Sequence, residues 1–176
     1  SDGQDQSQTY VSDAVEIGNS PPEIDGDVSV WPESPDHYST LTVSYVYGDV
    51  DGDDEDGTRF RWYVDSGQGF VFSGITDRAV VSSNLREGDR WRCEVSPNDG
   101  EDFGQAVVSE TAVIGNSAPR ASGLAVSPSE PASGGKLSAS YVFEDADGDQ
   151  EGAPQVRWYR DGELQGDYND SLSVPA

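Results

Sequence analysis

Acidic side chains alternate along one short segment in the first third of the chain. The predicted ligands of this run are Asp49, Asp51, Asp53 and Asp56, with Asp54 and Glu55 between them. Carboxylates held about 5 Å apart repel each other by about 3 kcal/mol per pair at an effective dielectric constant of ~20. A bound cation removes this cost, and calcium prefers oxygen ligands of this kind. The run therefore predicts a calcium site, with a solvated acidic turn that keeps the chain soluble as the alternative.

The acidic pattern occurs at two further places in the chain. Pro97 is followed by Asp99 and Asp102, and a later run again alternates acids with other residues: Asp145, Asp147, Asp149 and Glu151. The spacing differs from that of the helix-loop-helix calcium motif, because glycine occupies the fourth position of the run rather than the sixth. All these acids belong to the predicted set of calcium ligands.

The chain as a whole is repetitive. The sequence Ile-Gly-Asn-Ser that starts at Ile17 returns at Ile114, 97 positions later, and Arg61-Trp62-Tyr63 returns as Arg157-Trp158-Tyr159. A period of this length corresponds to one small domain. We expect residues 1–18 to be the last strand of one unit, 19–115 a complete unit, and 116–176 the N-terminal part of a third.

Short apolar alternations without helical periodicity predict β-strands throughout. On the third strand we expect Trp62 to point inward, and on the sixth strand Trp91 and Cys93. Seven short strands in fewer than 100 residues favour an all-β fold built from β-sandwiches. The strands of the complete unit are predicted at 28–31, 40–47, 59–64, 69–75, 78–81, 90–95 and 105–114, and the last strand of the chain at 171–174.

The inward tryptophan of the third strand, followed by Trp91-x-Cys93 on the sixth, resembles the core of immunoglobulin-like domains. The succession from the acidic run through Arg-Trp-Tyr and Trp-x-Cys-Glu-Val to Asn-Asp-Gly is similar to tandem immunoglobulin-like repeats of large bacterial and archaeal extracellular surface proteins. This resemblance implies tandem sandwiches of about seven strands each. The chain departs from it at the second strand, where Val43 or Tyr45 replaces the partner cysteine, so Cys93 is predicted to be a small buried hydrophobic residue.

The resemblance also implies where the acidic loops lie. In immunoglobulin-like sandwiches the second-to-third and sixth-to-seventh connections share one end of the domain, and the preceding unit joins at that same end. The connectors at 18–21 and 115–118 are too short to act as flexible tethers. We therefore expect a cation to bind both loops and the connector, and to stiffen the joint as calcium does between cadherin domains.

The net charge limits the choice of partners. Thirty-four acidic and ten basic residues give a net charge of −24, which repels nucleic acid and anionic lipid. Lys136 is the only lysine, and acid excess with lysine depletion is also typical of proteins from high-salt habitats. No apolar run is long enough to span a bilayer, and no signal peptide is present.

Residues that would support catalysis are scarce. His37 is the only histidine and lies in a predicted turn, so it forms no zinc site. Clustered loop acids stay ionised in water, whereas a glycosidase acid must be desolvated. We expect no enzymatic activity.

The alternative function is a carbohydrate-binding or spacer module of a secreted multidomain enzyme, for which Trp31 and Tyr38 are the aromatic candidates. Asn169 begins a glycosylation sequon.

These observations together predict a structural segment of an extracellular or cell-surface stalk, adhesin or filament. The expected partners are neighbouring repeats of the same chain, with no nucleic acid and no direct membrane insertion. The last unit ends before its sixth strand, which is the pattern of a longer chain that has been cut. Strand exchange is the second interpretation, with a segment such as 9–17 completing the sheet of a neighbouring molecule.

Overall fold

The computed structural model describes residues 8–168 and 171–175. Within these residues the regular structure is β-strand, apart from two short 3-10 turns at Ser82–Asn84 and Gly166–Tyr168, so the all-β expectation is confirmed. We call residues 19–115 the central segment and residues 116–175 the C-terminal segment. The strands are β1 Glu23–Ile24, β2 Ser29–Trp31, β3 Leu41–Ser44, β4 Tyr47–Gly48, β5 Arg59–Asp65, β6 Val71–Phe72, β7 Ala79–Val80, β8 Arg90–Ser96, β9 Val107–Val108, β10 Ala112–Val113, β11 Arg120–Ser127, β12 Lys136–Glu144, β13 Tyr159–Arg160, β14 Glu163–Leu164 and β15 Ser173–Pro175.

The central segment contains two main antiparallel sheets. One has the order β2-β3-β7, and the other has the order β10-β8-β5-β6, with β9 also pairing with β8. A separate pair joins β1 to β4. The longest ladder runs between β5 and β8 and places Trp62 opposite Cys93. Because side chains alternate along each strand, one face of this ladder is apolar and the other polar.

One hydrophobic core lies between the two main sheets. Side chains from the first sheet meet the indole rings of Trp62 and Trp91, whose centroids are 6.5 Å apart in an edge-to-face arrangement with an interplanar angle of 66°. Cys93 is fully buried beside them, as predicted. The central segment is therefore sandwich-like. The core residues are Val28, Leu41, Val43, Trp62, Val80, Leu85, Trp91, Cys93, Val95 and Ile114.

Two predicted strands are interrupted in the structure. The strand expected at 40–47 is divided into β3, which pairs with β2, and β4, which pairs with β1. The strand expected at 105–114 is divided into β9 and β10 around Ser109. The hydroxyl of Ser109 accepts a hydrogen bond of 2.9 Å from the Cys93 amide, and its own amide donates to the Cys93 carbonyl. A side-chain bond thus replaces one bond of the regular ladder.

The C-terminal segment forms a smaller structure. A three-stranded antiparallel sheet has the order β11-β12-β15, and β13 and β14 form a hairpin. The indole N–H of Trp158 donates to the Ser171 carbonyl at 2.7 Å, as Trp62 donates to the Asp77 carbonyl at 2.9 Å. A cavity of about 660 Å³ lies on the inner side of the sheet, lined largely by apolar residues that include Leu124, Phe143 and Trp158.

The chain before the central segment has no regular structure in its described part, residues 8–18. Its apolar side chains face solvent, and Tyr10 and Ile17 are 88% and 90% exposed. This stretch includes the segment 9–17 considered above for strand exchange.

Candidate metal centre

The first acidic run is folded around one carboxylate. Oδ1 of Asp49 accepts hydrogen bonds from the amides of Asp51, Gly52 and Asp53 at 2.8, 3.0 and 3.2 Å. Gly52 has a φ of +85°, a conformation that glycine adopts without steric cost. The aspartate at the start of the run therefore shapes the loop that carries the next two acids.

This folding brings three carboxylates together. One carboxylate oxygen from each of Asp49, Asp51 and Asp53 lies within 4.8 Å of the other two. Oδ2 of Asp49 is buried and has no hydrogen-bond partner in the described part of the chain. A buried charged oxygen without a partner is costly. A divalent cation would bind this oxygen and remove the repulsion among the three groups, so the donor set fits a hard cation such as calcium.

A second loop, at 98–102, lies beside the first. The amide of Asp56 donates to the Asn98 carbonyl at 2.9 Å, and Asp56 pairs with Asp99 in an isolated parallel β-bridge. Oδ1 of Asp99 accepts hydrogen bonds from the amides of Glu101 and Asp102 at 2.8 and 2.7 Å. The two acidic loops thus converge at one end of the central segment.

The connector in front of the central segment contacts both loops. The side-chain amide of Asn19 donates to Oδ2 of Asp99 at 2.9 Å and to Oδ2 of Asp102 at 3.3 Å, and the main-chain amide of Ser20 donates to Oδ2 of Asp51 at 2.7 Å. The bond from Asn19 is the main reason that the pKa of Asp99 is lowered. Neither Asn19 nor Ser20 was predicted as a polar partner, although both belong to the repeated motif.

Tyr47 places a phenol next to the convergence point. Its hydroxyl oxygen is buried and has no hydrogen-bond partner among the described residues. Burial raises the pKa of Tyr47, and the negative charges of nearby acids raise it further; these acids are Asp49, Asp99, Glu55 and Asp53. The pKa of this one phenol therefore depends on acids from both loops.

The second acidic run has a similar backbone design. Oδ1 of Asp145 accepts hydrogen bonds from the amides of Asp147 and Asp149 at 2.9 and 3.1 Å. Oδ2 of Asp147 accepts a bond of 2.6 Å from the Ser117 amide, while Oδ1 of Asp147 is buried without a partner in the described part of the chain. Ser117 corresponds to Ser20, so each connector is bonded to the middle aspartate of the run that follows it.

Glu151 lies in a different environment from the aspartates of its run. It accepts a hydrogen bond from the hydroxyl of Tyr141, as Glu55 does from Tyr45. Glu151 is therefore the counterpart of Glu55 rather than of Asp56. Glu151 was predicted as a calcium ligand, whereas its counterpart Glu55 was not. The hydrogen bond raises the pKa of Tyr141; burial and the bond to Glu55 raise that of Tyr45 to about 12.

The connector between the central and C-terminal segments is also held from its other side. The hydroxyl of Ser117 accepts a bond of 3.0 Å from the His37 amide, and Ser117 is completely buried. The ring Nδ1 of His37 lies 3.0 Å from the Leu85 carbonyl oxygen. The guanidinium of Arg120 lies 4.1 Å from the ring centroid of Tyr38. Sequence patterns assigned no role to these contacts, because they join residues that lie 48 or more positions apart.

No protein-family model matches the chain, and no curated protein is significantly similar to it. Among the described residues, no helix has the length and apolar character needed to cross a bilayer. Asn169, the predicted glycosylation site, lies outside the described residues.

Proposed function

We propose that the chain is a structural repeat segment of an extracellular stalk, adhesin or filament whose inter-unit joints are stiffened by calcium. The observation that carries the proposal is the contact between each connector and an acidic run. Ser20 donates to Asp51, and Ser117 donates to Asp147. Calcium bound to either run would therefore hold carboxylates that are already bonded to a connector.

The energetic argument follows from the unbalanced charges. Three carboxylates lie close together at the first run, and its buried Asp49 oxygen has no partner among the described residues. A cation that binds these groups in the folded state and not in the unfolded state stabilises the fold by about 2.7 kcal/mol at a concentration of 100 Kd. The same binding fixes the connector, so the joint loses freedom.

The immunoglobulin-like character of the units is part of this proposal. Its support is the sheet order β2-β3-β7 facing β10-β8-β5-β6, together with the packing of Trp62 against Trp91 and Cys93. The repetition of the acidic run and of the tryptophan bond in the C-terminal segment supports a tandem arrangement.

Calcium titration of the chain tests the proposal. Calcium is expected to raise the midpoint of thermal unfolding. It should also narrow the range of overall chain dimensions measured by small-angle scattering, because a stiffer joint bends less. The double variant Asp49→Asn, Asp51→Asn should abolish the response at the first run. Asp54→Asn is the matched control, because Asp54 has the same charge and lies outside the three-carboxylate group.

Two outcomes would overturn the calcium role. One is an unchanged midpoint and unchanged scattering in millimolar calcium. The other is a shift of the thermal midpoint in molar sodium or potassium chloride that equals the shift in calcium. This result would assign the acid excess to a high-salt habitat instead.

An exposed tryptophan favours carbohydrate binding as the second candidate function. Trp31 is 61% exposed, whereas Tyr38 is in contact with Arg120. Glycan binding by the chain that is lost in Trp31→Ala and retained in Trp91→Phe would favour this candidate over the stalk.

Self-association by strand exchange is the second part of the proposed function. It is supported by the exposed apolar side chains of segment 9–17 and by the open apolar cavity of the C-terminal segment. Ile17 occupies the repeat position of Ile114, which is buried in the core, and Val11 that of Val108, which is half exposed. Light scattering should show concentration-dependent oligomers that Ile17→Asp weakens and the control Val11→Asp does not. A monomer at all concentrations would exclude this mode.

A further inference from the structure

Two buried polar atoms without partners lie close in sequence at the first acidic run. They are the hydroxyl oxygen of Tyr47 and Oδ2 of Asp49, neither of which has a hydrogen-bond partner in the described part of the chain. Tyr47 belongs to β4, and Asp49 follows that strand directly. Buried polar atoms in native proteins are normally satisfied, so each of these two atoms calls for a partner that the described residues do not supply.

The two atoms have complementary chemistry. A neutral phenol can donate one hydrogen bond, whereas an ionised carboxylate can only accept. Tyr47 lies on the strand that leads directly into the first run, and the bond from the Asp56 amide to the Asn98 carbonyl joins the second acidic loop to that run. A cation that draws carboxylates of both loops together would bring acceptor oxygens towards this donor. Hydrogen bonds from neutral donors to charged acceptors are stronger than neutral ones.

The second acidic run provides a natural comparison. Phe143 stands two residues before Asp145, the place that Tyr47 has before Asp49. Phe143 carries no donor and lines the apolar cavity of the C-terminal segment. In both runs Oδ1 of the first aspartate accepts hydrogen bonds from two following amides, and the position two residues before that aspartate carries a hydroxyl only in the first run.

We propose that Tyr47 is a positioning residue of the first cation centre, whose hydroxyl donates a hydrogen bond to a carboxylate of the ligand shell. This inference rests on the proposed calcium function and deepens it. Its consequence is that the two runs bind calcium unequally, with the run that follows Tyr47 binding more tightly than the run that follows Phe143.

Tyr47→Phe tests the inference, because it removes one oxygen and keeps the ring. Calcium titration by calorimetry should show an affinity about tenfold lower at the first run, the effect of losing one hydrogen bond to a charged group. Phe143→Tyr is the reciprocal variant and should tighten the second run. Tyr63→Phe is the matched control on the outer face of β5 and should leave both affinities unchanged.

Terbium luminescence tests separately whether Tyr47 lies next to the bound cation. Tyrosine sensitises the emission of terbium only at short range, so emission excited through tyrosine should fall in Tyr47→Phe and remain in Tyr63→Phe. Phe143→Tyr should add sensitised emission at the second run. Thermal unfolding without metal verifies that each variant keeps its fold.

The outcomes separate the two levels of the proposal. Absence of calcium and terbium binding in the unaltered chain overturns the proposed function itself. Binding that persists in Tyr47→Phe with unchanged affinity overturns only the role of Tyr47, whether or not the sensitised emission falls. An equal loss in Tyr63→Phe also overturns it, because the effect would then not be specific to the centre.

Discussion

The amide of Ser117 donates a 2.6 Å hydrogen bond to Oδ2 of Asp147, thirty positions further along the chain. The hydroxyl of the same serine accepts a bond from His37 in the central segment. One buried connector residue is therefore bonded to both segments that it joins. The bond from Ser20 to Asp51 repeats the first of these contacts one period earlier.

Asp147→Ala should loosen this connector in the absence of calcium. The amide of Ser117 loses a charge-assisted acceptor, and its hydrogen exchange should become about tenfold or more faster. Exchange measured by mass spectrometry over residues 115–119 checks this. Asp149→Ala is the control, because the side chain of Asp149 is exposed and lies outside this contact. Equal protection in both variants would contradict the assigned role of Asp147.

Trp91→Ala should destabilise the central segment by about 3–5 kcal/mol, because it removes a large side chain from the centre of the core. Urea unfolding followed by circular dichroism measures this loss. The matched control is Trp31→Ala, whose ring is mostly exposed and whose loss should cost less than about 1 kcal/mol. Similar costs for the two variants would show that Trp91 is not part of the core in solution.

Asp65 should make the central segment sensitive to acid. Its carboxylate accepts hydrogen bonds from the amides of Gly69 and Gly67, both at 2.8 Å, and these bonds lower its pKa from 3.8. The stabilising contribution is complete above pH 3.8 and is lost as the pH falls through the lower pKa of the folded state.

Asp65→Asn keeps the shape of the side chain and removes its charge. The variant should be less stable than the unaltered chain at pH 7, and the difference should shrink below pH 3, as measured by urea unfolding at both values. Asp54→Asn serves again as the control. A difference that is independent of pH would contradict the assignment of the bonds to the ionised carboxylate.

Cys93 should be chemically inert in the folded chain. Burial raises the pKa of its thiol from 9.0 to about 12, so the reactive thiolate is scarce at pH 8. The folded protein should react with a thiol reagent only as fast as it unfolds, and addition of urea should make the reaction immediate. Because the thiol loses its proton more easily in the unfolded chain, its contribution to the free energy of unfolding is fully present below pH 9.0 and is lost as the pH rises above that value. Rapid reaction at pH 8 without urea would contradict the burial of Cys93.

Local sequence patterns predicted those strands whose alternating apolar residues are the residues buried in the structure. The strand expected at 59–64 is β5, and the strand expected at 90–95 is β8, with Trp62, Trp91 and Cys93 inward. The interruption near Ser109 was missed, because a single polar residue inside a strand pattern does not show that its hydroxyl replaces a ladder bond.

The candidate site was predictable in its acids and not in its partners. Alternating carboxylates are visible in sequence, and their convergence followed from the resemblance. The contacts of Asn19, Ser20 and His37 depend on chain segments brought together only by the tertiary fold. The pairing of Glu151 with Tyr141 was missed, because a carboxylate next to an acidic run is indistinguishable from the run itself until its hydrogen bond is seen.

The two indole hydrogen bonds also bear on how such a chain is made. Trp62 and Trp158 donate to carbonyl groups only 15 and 13 positions ahead of them. Contacts this local form quickly and do not wait for distant parts of the chain. On the ribosome, the ring of Trp62 can be fixed to its own segment before β8 has been synthesised. The central and C-terminal segments would then each begin folding from their own local contacts, which limits mispairing between the two segments during translation.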